Sequence, residues 1–162
     1  MKKGKYLITG AAGFIGSNLA KNLHKKYELI LFDDLSAGSV INLPSVLRKK
    51  LIKKKIQNIE KLNTGKLEGI FHLAAQGSVP LSLKEFYKST ANNLLSSTKV
   101  FELSKKYSAP VVYASSSSIY GTLPLGNDEI NKFSILSPYA QDKLTTENYA
   151  KMMNEIFGIS SV

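Results

Sequence analysis

Two residues one helical turn apart, Tyr139 and Lys143, could do acid–base chemistry. On a helix, positions i and i+4 bring their Cβ atoms to about 5–6 Å. An ammonium at that distance stabilises a phenolate by opposite charge, and a phenolate can take a proton near neutral pH. Read alone, Tyr-x-x-x-Lys is a common chance pairing. A second candidate is the hydroxyl run Ser115-Ser116-Ser117-Ser118, which ends at Ile119-Tyr120-Gly121. It follows the apolar stretch Val111–Ala114, so it sits where a buried strand would end. Ligands of open α/β sheets bind at the carboxyl ends of strands. A polar loop after a strand is the plainer reading of the same residues.

The third candidate is Thr9-Gly10-Ala11-Ala12-Gly13-Phe14-Ile15-Gly16, between an apolar run at 6–9 and a helical period. Glycines permit positive φ and close backbone approach, and a helix N-terminus offers free N–H groups to a pyrophosphate. The spacing is G-x-x-G-x-x-G, and a tight turn with close helix packing would use the same residues. Asp33 follows the second apolar run, where a carboxylate can accept hydrogen bonds from an adenosine ribose. It also repels a 2′-phosphate, which favours NAD over NADP. Asp33-Asp34-Leu35-Ser36 equally suits a turn. Loop, acid, serine-rich strand end and Tyr-x-x-x-Lys in this order make a far more specific pattern than any one of them.

These groups need a scaffold. Apolar runs at 6–9, 28–32, 69–73 and 109–114 alternate with helical periods at 14–26, 82–107 and 138–157. That alternation predicts an α/β fold, a doubly wound parallel sheet covered on both faces. Lysines among Leu51, Ile52 and Ile56 suit an edge strand, the place of strand three in the order 3-2-1-4-5-6. Only a very short helix fits between Ile59 and Ile70. The chain stops at Gly158–Val162, which reads as the start of a sixth strand. The expectation is one domain over residues 1–162, incomplete at its carboxyl end.

The 162 residues suit one domain, and 43% hydrophobic with 21% charged residues argues against disorder. No cysteine is present, so disulfides and thiolate zinc sites are excluded; His24 and His72 have no partner at ligand spacing, and no metal is expected. The net charge of +10 is nearly all lysine, with Arg48 the only arginine. Without arginine forks or interleaved aromatics, the run Lys49–Lys55 reads as a solvated face rather than a nucleic-acid site. No apolar run reaches the ~18 residues of a membrane span. The basic start Met1–Lys5 superficially resembles a secretory signal, but Gly10, Gly13 and Gly16 interrupt its apolar part. A cytoplasmic protein is expected.

The joint pattern resembles the extended short-chain dehydrogenase/reductases, and within them the NAD-dependent nucleotide-sugar epimerase/dehydratase family. The matching residues are Thr9–Gly16, Phe32–Gly38, His72–Pro80, Asn92-Asn93, Ser115–Gly121 and Ser137–Lys143, spread over the whole chain. The chain looks most like UDP-glucose or UDP-N-acetylglucosamine 4-epimerases. The resemblance implies a Rossmann domain with Phe14 and Ile15 at the pyrophosphate of NAD, and Asp33 and Asp34 by the adenosine ribose. Asn58 and Ile59 would lie near the adenine, where the family usually has an acidic residue before the isoleucine. Leu73, Ala74, Ala75, Gln76 and Gly77 would line the nicotinamide side, with Asn92 helping to hold the cofactor. Ser116, Tyr139 and Lys143 would be the catalytic triad, Tyr139 as base and Lys143 also on the nicotinamide ribose. The related dehydratases carry Asp-Glu where this chain has Ser117-Ser118, which disfavours elimination of water. Family members are about twice this length, so a second reading is a truncated, non-catalytic NAD-binding fragment. Relatives commonly dimerise through the helices that here span 82–107 and 138–157, where Leu94, Leu95, Phe101, Met152 and Met153 could supply contacts.

Overall fold

The structure, a computed structural model, describes residues 4–61, 64–123 and 132–162; the basic start at Met1–Lys3 lies outside them. Five strands, β1 (Lys5–Thr9), β2 (Glu28–Asp33), β3 (Leu51–Lys53), β4 (Gly69–His72) and β5 (Val111–Tyr113), form one parallel sheet in the order β3-β2-β1-β4-β5. Val111 also pairs in parallel with Ser161, and Val162 exchanges hydrogen bonds with the β5 backbone. The last residues therefore lie where a sixth strand would, beside β5. β3 is the lysine-bearing edge, as its mixed composition predicts.

Side chains alternate across the sheet and supply two cores. Leu7, Phe32, Ile70 and Val111 face one side and pack with Val100, Phe101, Leu103 and Met153. These come from the long helices α4 (Phe86–Tyr107) and α5 (Pro138–Phe157). Ile8, Leu31 and Leu51 face the other side, under Ala20 of α1 (Phe14–Leu23) and Leu47 of the short helix α2 (Ser45–Arg48). Both strand faces are thus buried, the condition of a doubly wound sheet.

Two expectations need correction. The helix expected over 82–107 is two helices, α3 (Val79–Lys84) and α4, broken at Glu85 with φ −123° and ψ 56°. The break turns α3 toward the start of α5, where the fully buried Ser82 hydroxyl accepts the Tyr139 N–H at 3.3 Å. Hydrophobic period alone does not reveal a one-residue interruption. The first helix also stops at Leu23 instead of continuing to 26. Among the described residues between β3 and β4 the one helical element is a 3-10 turn, Ile56–Lys61, in keeping with the short connection. α5 runs as expected, with Ser137 capping it through Ala140 N–H and Gly158 ending it at φ 66°.

Candidate active site at the carboxyl ends of the strands

The glycine loop closes β1 onto α1 with almost no spare room. Gly10 has φ +67°, and a Cβ there would meet the Leu73 and Ala74 backbone at 2.7 Å. A Cβ on Gly16 would lie 2.2 Å from the Gly10 carbonyl oxygen. At Gly13 a Cβ would meet only the Gly10 carbonyl oxygen, at a tight 3.3 Å, and the residue lines the cleft. The loop's N–H groups are organised from behind. Asp33 Oδ2 accepts from Ala12 N–H at 2.9 Å, and Oδ1 accepts from Leu35 N–H at 2.8 Å. Asp33 is therefore a carboxylate fixed by two backbone donors, with lone pairs remaining for a ligand.

A cleft of about 260 Å³ opens in front of this loop. Gly10, Gly13, Phe14, Asp33, Asp34, Leu73, Ala74, Ala75 and Asn92 line it. Asn58 and Gln76 line an adjoining recess that shares Asp34, Ala75 and Asn92 with the cleft. Ile59 is fully buried in the core against α4, so the structure gives it no surface to present to an adenine, contrary to expectation. Gly16 lies beneath the loop, and Ile15, 60% exposed, stands at the α1 N-terminus outside the cleft lining. Gly77 has nothing within 4 Å of a built Cβ, so space does not demand a glycine there. Sequence reasoning passed over Ser36, Ala37, Gly38, Lys54 and Ser96 as individual lining residues. The first three sit inside a segment it matched only as a block, and Lys54 lay in a run read as a solvated face.

The candidate catalytic residues gather at the end of β5. Lys143 is 8% exposed, and its Nζ donates to Ala114 O at 2.7 Å. The same Nζ lies 5.7 Å from the centre of the Tyr139 ring. Burial lowers the affinity of Lys143 for its proton, and the adjacent Asp142 charge opposes that shift. Ser116 caps the 3-10 turn Ser117–Tyr120: its Oγ accepts from Ser118 N–H at 3.2 Å and meets Ser118 Oγ at 2.9 Å. Ser115 is held by Glu147, one turn beyond Lys143 on α5. The lysine and the serine thus flank the same strand end, and neither belongs to the lining of the glycine-loop cleft.

A buried polar line behind the site went unseen in the sequence. Leu73 and Ala74 N–H both donate to Thr9 Oγ1 at 3.3 Å, which leaves the Thr9 hydroxyl to donate to His72 Nδ1 at 2.8 Å. His72 Nε2 then carries the proton and donates to Ser97 at 3.2 Å. Burial first, then the Lys143 charge, push His72 from its usual 6.5 down to about 3. Below about pH 6.5 the unfolded chain takes up a proton that the folded chain refuses. The stability gained from a neutral His72 is therefore complete above that pH and drains as pH falls, by about 1.4 kcal/mol per unit. Urea unfolding between pH 6.5 and 4.5 should show a slope steeper by about one proton in wild type than in His72→Gln; equal slopes would count against a buried neutral imidazole.

Among the described residues no cluster of His, Cys, Asp and Glu could hold a metal ion, and no helix is long and apolar enough to cross a membrane. Residues 6–162 match the family model of the NAD dependent epimerase/dehydratase family. A UDP-glucose 4-epimerase of Mycolicibacterium smegmatis is 34% identical over 94% of this chain and 52% of its own length. A UDP-N-acetylglucosamine 4-epimerase of Methanobrevibacter ruminantium, solved with UDP-N-acetylmuramic acid, superposes with a TM-score of 0.90. Its identity is 34%, over 99% of this chain and 54% of that one. A UDP-glucose 4-epimerase of Thermus thermophilus, solved with NAD, gives 0.84 at 27% identity, over 97% of this chain and 53% of that one. The chain spans about half the length of these relatives.

Proposed function

Since the chain belongs to the NAD-dependent epimerase/dehydratase family, we propose that it carries the cofactor site and the acid–base residues of a UDP-hexose 4-epimerase. The observation that carries this reading is the pairing of Tyr139 with a buried Lys143, whose Nζ is fixed on Ala114 O beside Ser116. The cradle at Gly10, Gly13 and Gly16 fits a dinucleotide, because every added Cβ would either strike backbone or intrude on the cleft. Gly13 and Phe14 would receive the pyrophosphate at the α1 N-terminus. Asp33 would hold the adenosine ribose, with Asn58 near the base and Leu73–Ala75 along the opposite wall. NAD bound there supplies a hydride acceptor that can also give the hydride back.

The chain's own residues handle the proton. The Tyr139 phenolate takes it from the sugar 4-hydroxyl and returns it after the sugar has presented its other face. Lys143 stabilises the phenolate by charge and stays in place because Ala114 O holds it. Ser116 supplies a hydroxyl to the same oxygen of the sugar. The direct test is the interconversion of UDP-glucose and UDP-galactose, followed by NMR. It should be run on this chain alone and with the C-terminal segment of a full-length relative added. Turnover in either supports the reading. NAD binding with no turnover in either favours the second reading, a nucleotide-binding fragment without catalysis.

Cofactor preference follows from Asp33. Its carboxylate is fixed by Ala12 and Leu35 N–H and cannot swing away from a 2′-phosphate. NAD should bind at least about tenfold more tightly than NADP, the effect of ~1.4 kcal/mol of like-charge repulsion. Calorimetric titration of both cofactors checks it, and equal affinities would remove Asp33 from the ribose.

A homodimer through α4 and α5 is also proposed. Phe101 and Met153 are core residues, so they contribute nothing to an interface. Leu95 at 53% and Met152 at 36% exposure remain to be covered. Sedimentation should show a dimer, and Leu95→Lys with Met152→Lys should shift it to monomer. A monomeric wild type across a wide concentration range would end this proposal.

A further inference from the structure

We propose that Asp142 is a positioning residue: its carboxylate orients the Asn93 amide, which pins Gln76 and so sets the wall of the cleft. The inference rests on the reading of that cleft as the cofactor site. Asp142 is 2% exposed, and the mechanism above makes no use of it. Its Oδ2 accepts from Asn93 Nδ2 at 3.0 Å. Asn93 is itself buried on α4, and its amide embraces the Gln76 backbone. Oδ1 accepts Gln76 N–H at 2.8 Å, and Nδ2 donates to Gln76 O at 3.3 Å.

The two ends of an asparagine amide are nearly the same size but opposite in sense. Only one orientation serves Gln76, with oxygen toward N–H and nitrogen toward C=O. Burial raises the affinity of Asp142 for a proton and the Asn93 hydrogen bond opposes that shift; with Oδ2 as acceptor for Asn93 Nδ2, Asp142 selects that orientation. Flipping the amide would set oxygen against carboxylate oxygen and leave the Gln76 N–H facing a donor. Gln76 directly follows Leu73, Ala74 and Ala75, which line the cleft. That segment is therefore anchored at both ends. Thr9 Oγ1 takes the N–H groups of Leu73 and Ala74, and Asn93 takes Gln76. Asp142 precedes Lys143 on α5, so the helix that carries the candidate base and the wall that faces the cofactor meet through this one amide.

The test reads the Gln76 amide by hydrogen exchange in two-dimensional NMR, on the chain as purified, with NAD affinity measured in parallel. Asp142→Leu removes the acceptor, and Gln76 exchange should rise by about tenfold, as expected for one lost buried hydrogen bond. Asp142→Asn keeps an acceptor oxygen and should stay within about threefold of wild type. In an Asn93→Ala background, Asp142→Leu should add nothing further, because the link is already cut. NAD affinity should fall in step with Gln76 exchange. Unchanged exchange in Asp142→Leu, or additive effects in the pair, would overturn the proposal. If Asp142→Leu loses its dispersed spectrum, Asn93→Asp serves in its place. It sets two carboxylates together and should speed Gln76 exchange, and Asp142→Asn should rescue it by supplying the donor from the other side. Failure of that rescue would also overturn the proposal. Exchange at Gln76 requires no cofactor. A chain that shows this coupling yet binds no NAD keeps the positioning role and loses the cofactor reading instead.

Discussion

Alanine at Gly16 is expected to destabilise the fold and abolish NAD binding together. Its Cβ would sit 2.2 Å from Gly10 O and 2.9 Å from Ala11 Cα, both backbone atoms with nowhere to go. The loop cannot yield, because Gly13 N–H is bonded to Gly10 O and Ser17 N–H to Gly13 O. Overpacking of this kind costs about 1–3 kcal/mol. Gly10→Ala should cost at least as much, since the same contact problem at Leu73 and Ala74 is joined by a φ of +67°. Gly13→Ala separates the two effects. Its Cβ would meet only Gly10 O, at 3.3 Å rather than 2.2 Å, so the chain should lose far less stability than Gly16→Ala while a pyrophosphate loses its place. Gly77→Ala, with no neighbour, is the control. Thermal unfolding and NAD titration on the four variants check the order. A Gly16→Ala chain that melts like wild type and binds NAD would overturn the account of the loop.

Loss of the phenol in Tyr139→Phe should remove epimerisation by about 10²–10⁴-fold, the usual cost of deleting a general base, while NAD affinity stays nearly intact. Tyr139 is placed by its N–H on Ser82, an anchor that phenylalanine keeps. Lys143→Ala should damage both rate and cofactor affinity. It also frees Ala114 O, which Lys143 now satisfies, so some loss of stability is expected with it. Ser116→Ala should slow turnover with little change in affinity, and it should loosen the turn at Ser117–Tyr120, whose cap is the same hydroxyl. The measurement is turnover of UDP-glucose with the C-terminal segment of a full-length relative supplied. Full activity in Tyr139→Phe would refute the mechanism.

The scaffold was legible because each element carried its own local signature. α5 announces itself with Pro138 in its first turn and Gly158 at its end, and β3 announces an edge through its lysines. The position of Asp33 at the end of the second strand was legible as well, though an acid there suits a turn as readily as a ribose. Its turn role is the one the structure shows: Asp33 Oδ1 accepts from Leu35 N–H. The break at Glu85 was not legible in the hydrophobic period, and the contact that accompanies it, Ser82 with the start of α5, spans 57 residues of sequence. Asn93 was hidden for the same reason. Asn92 and Asn93 are chemically identical, and only the rotation of α4 against the sheet turns the first to the cleft and the second inward. The apolar residues of α5 divided likewise: their pattern could not show that Met153 is core while Met152 faces out.

The buried line from Thr9 through His72 to Ser97 runs in one sense only, hydroxyl to Nδ1 and Nε2 to hydroxyl. That direction constrains inheritance. Valine at position 9 would leave an imidazole nitrogen without a donor and the Ala74 N–H without its hydroxyl acceptor, while Leu73 N–H keeps the Thr9 carbonyl, so loss of that hydroxyl is not neutral. A lineage that trades the imidazole for another group must also change a partner 63 residues away on one side or 25 on the other. Substitutions at these three positions should therefore travel through descent in company, even where the surrounding apolar residues drift freely.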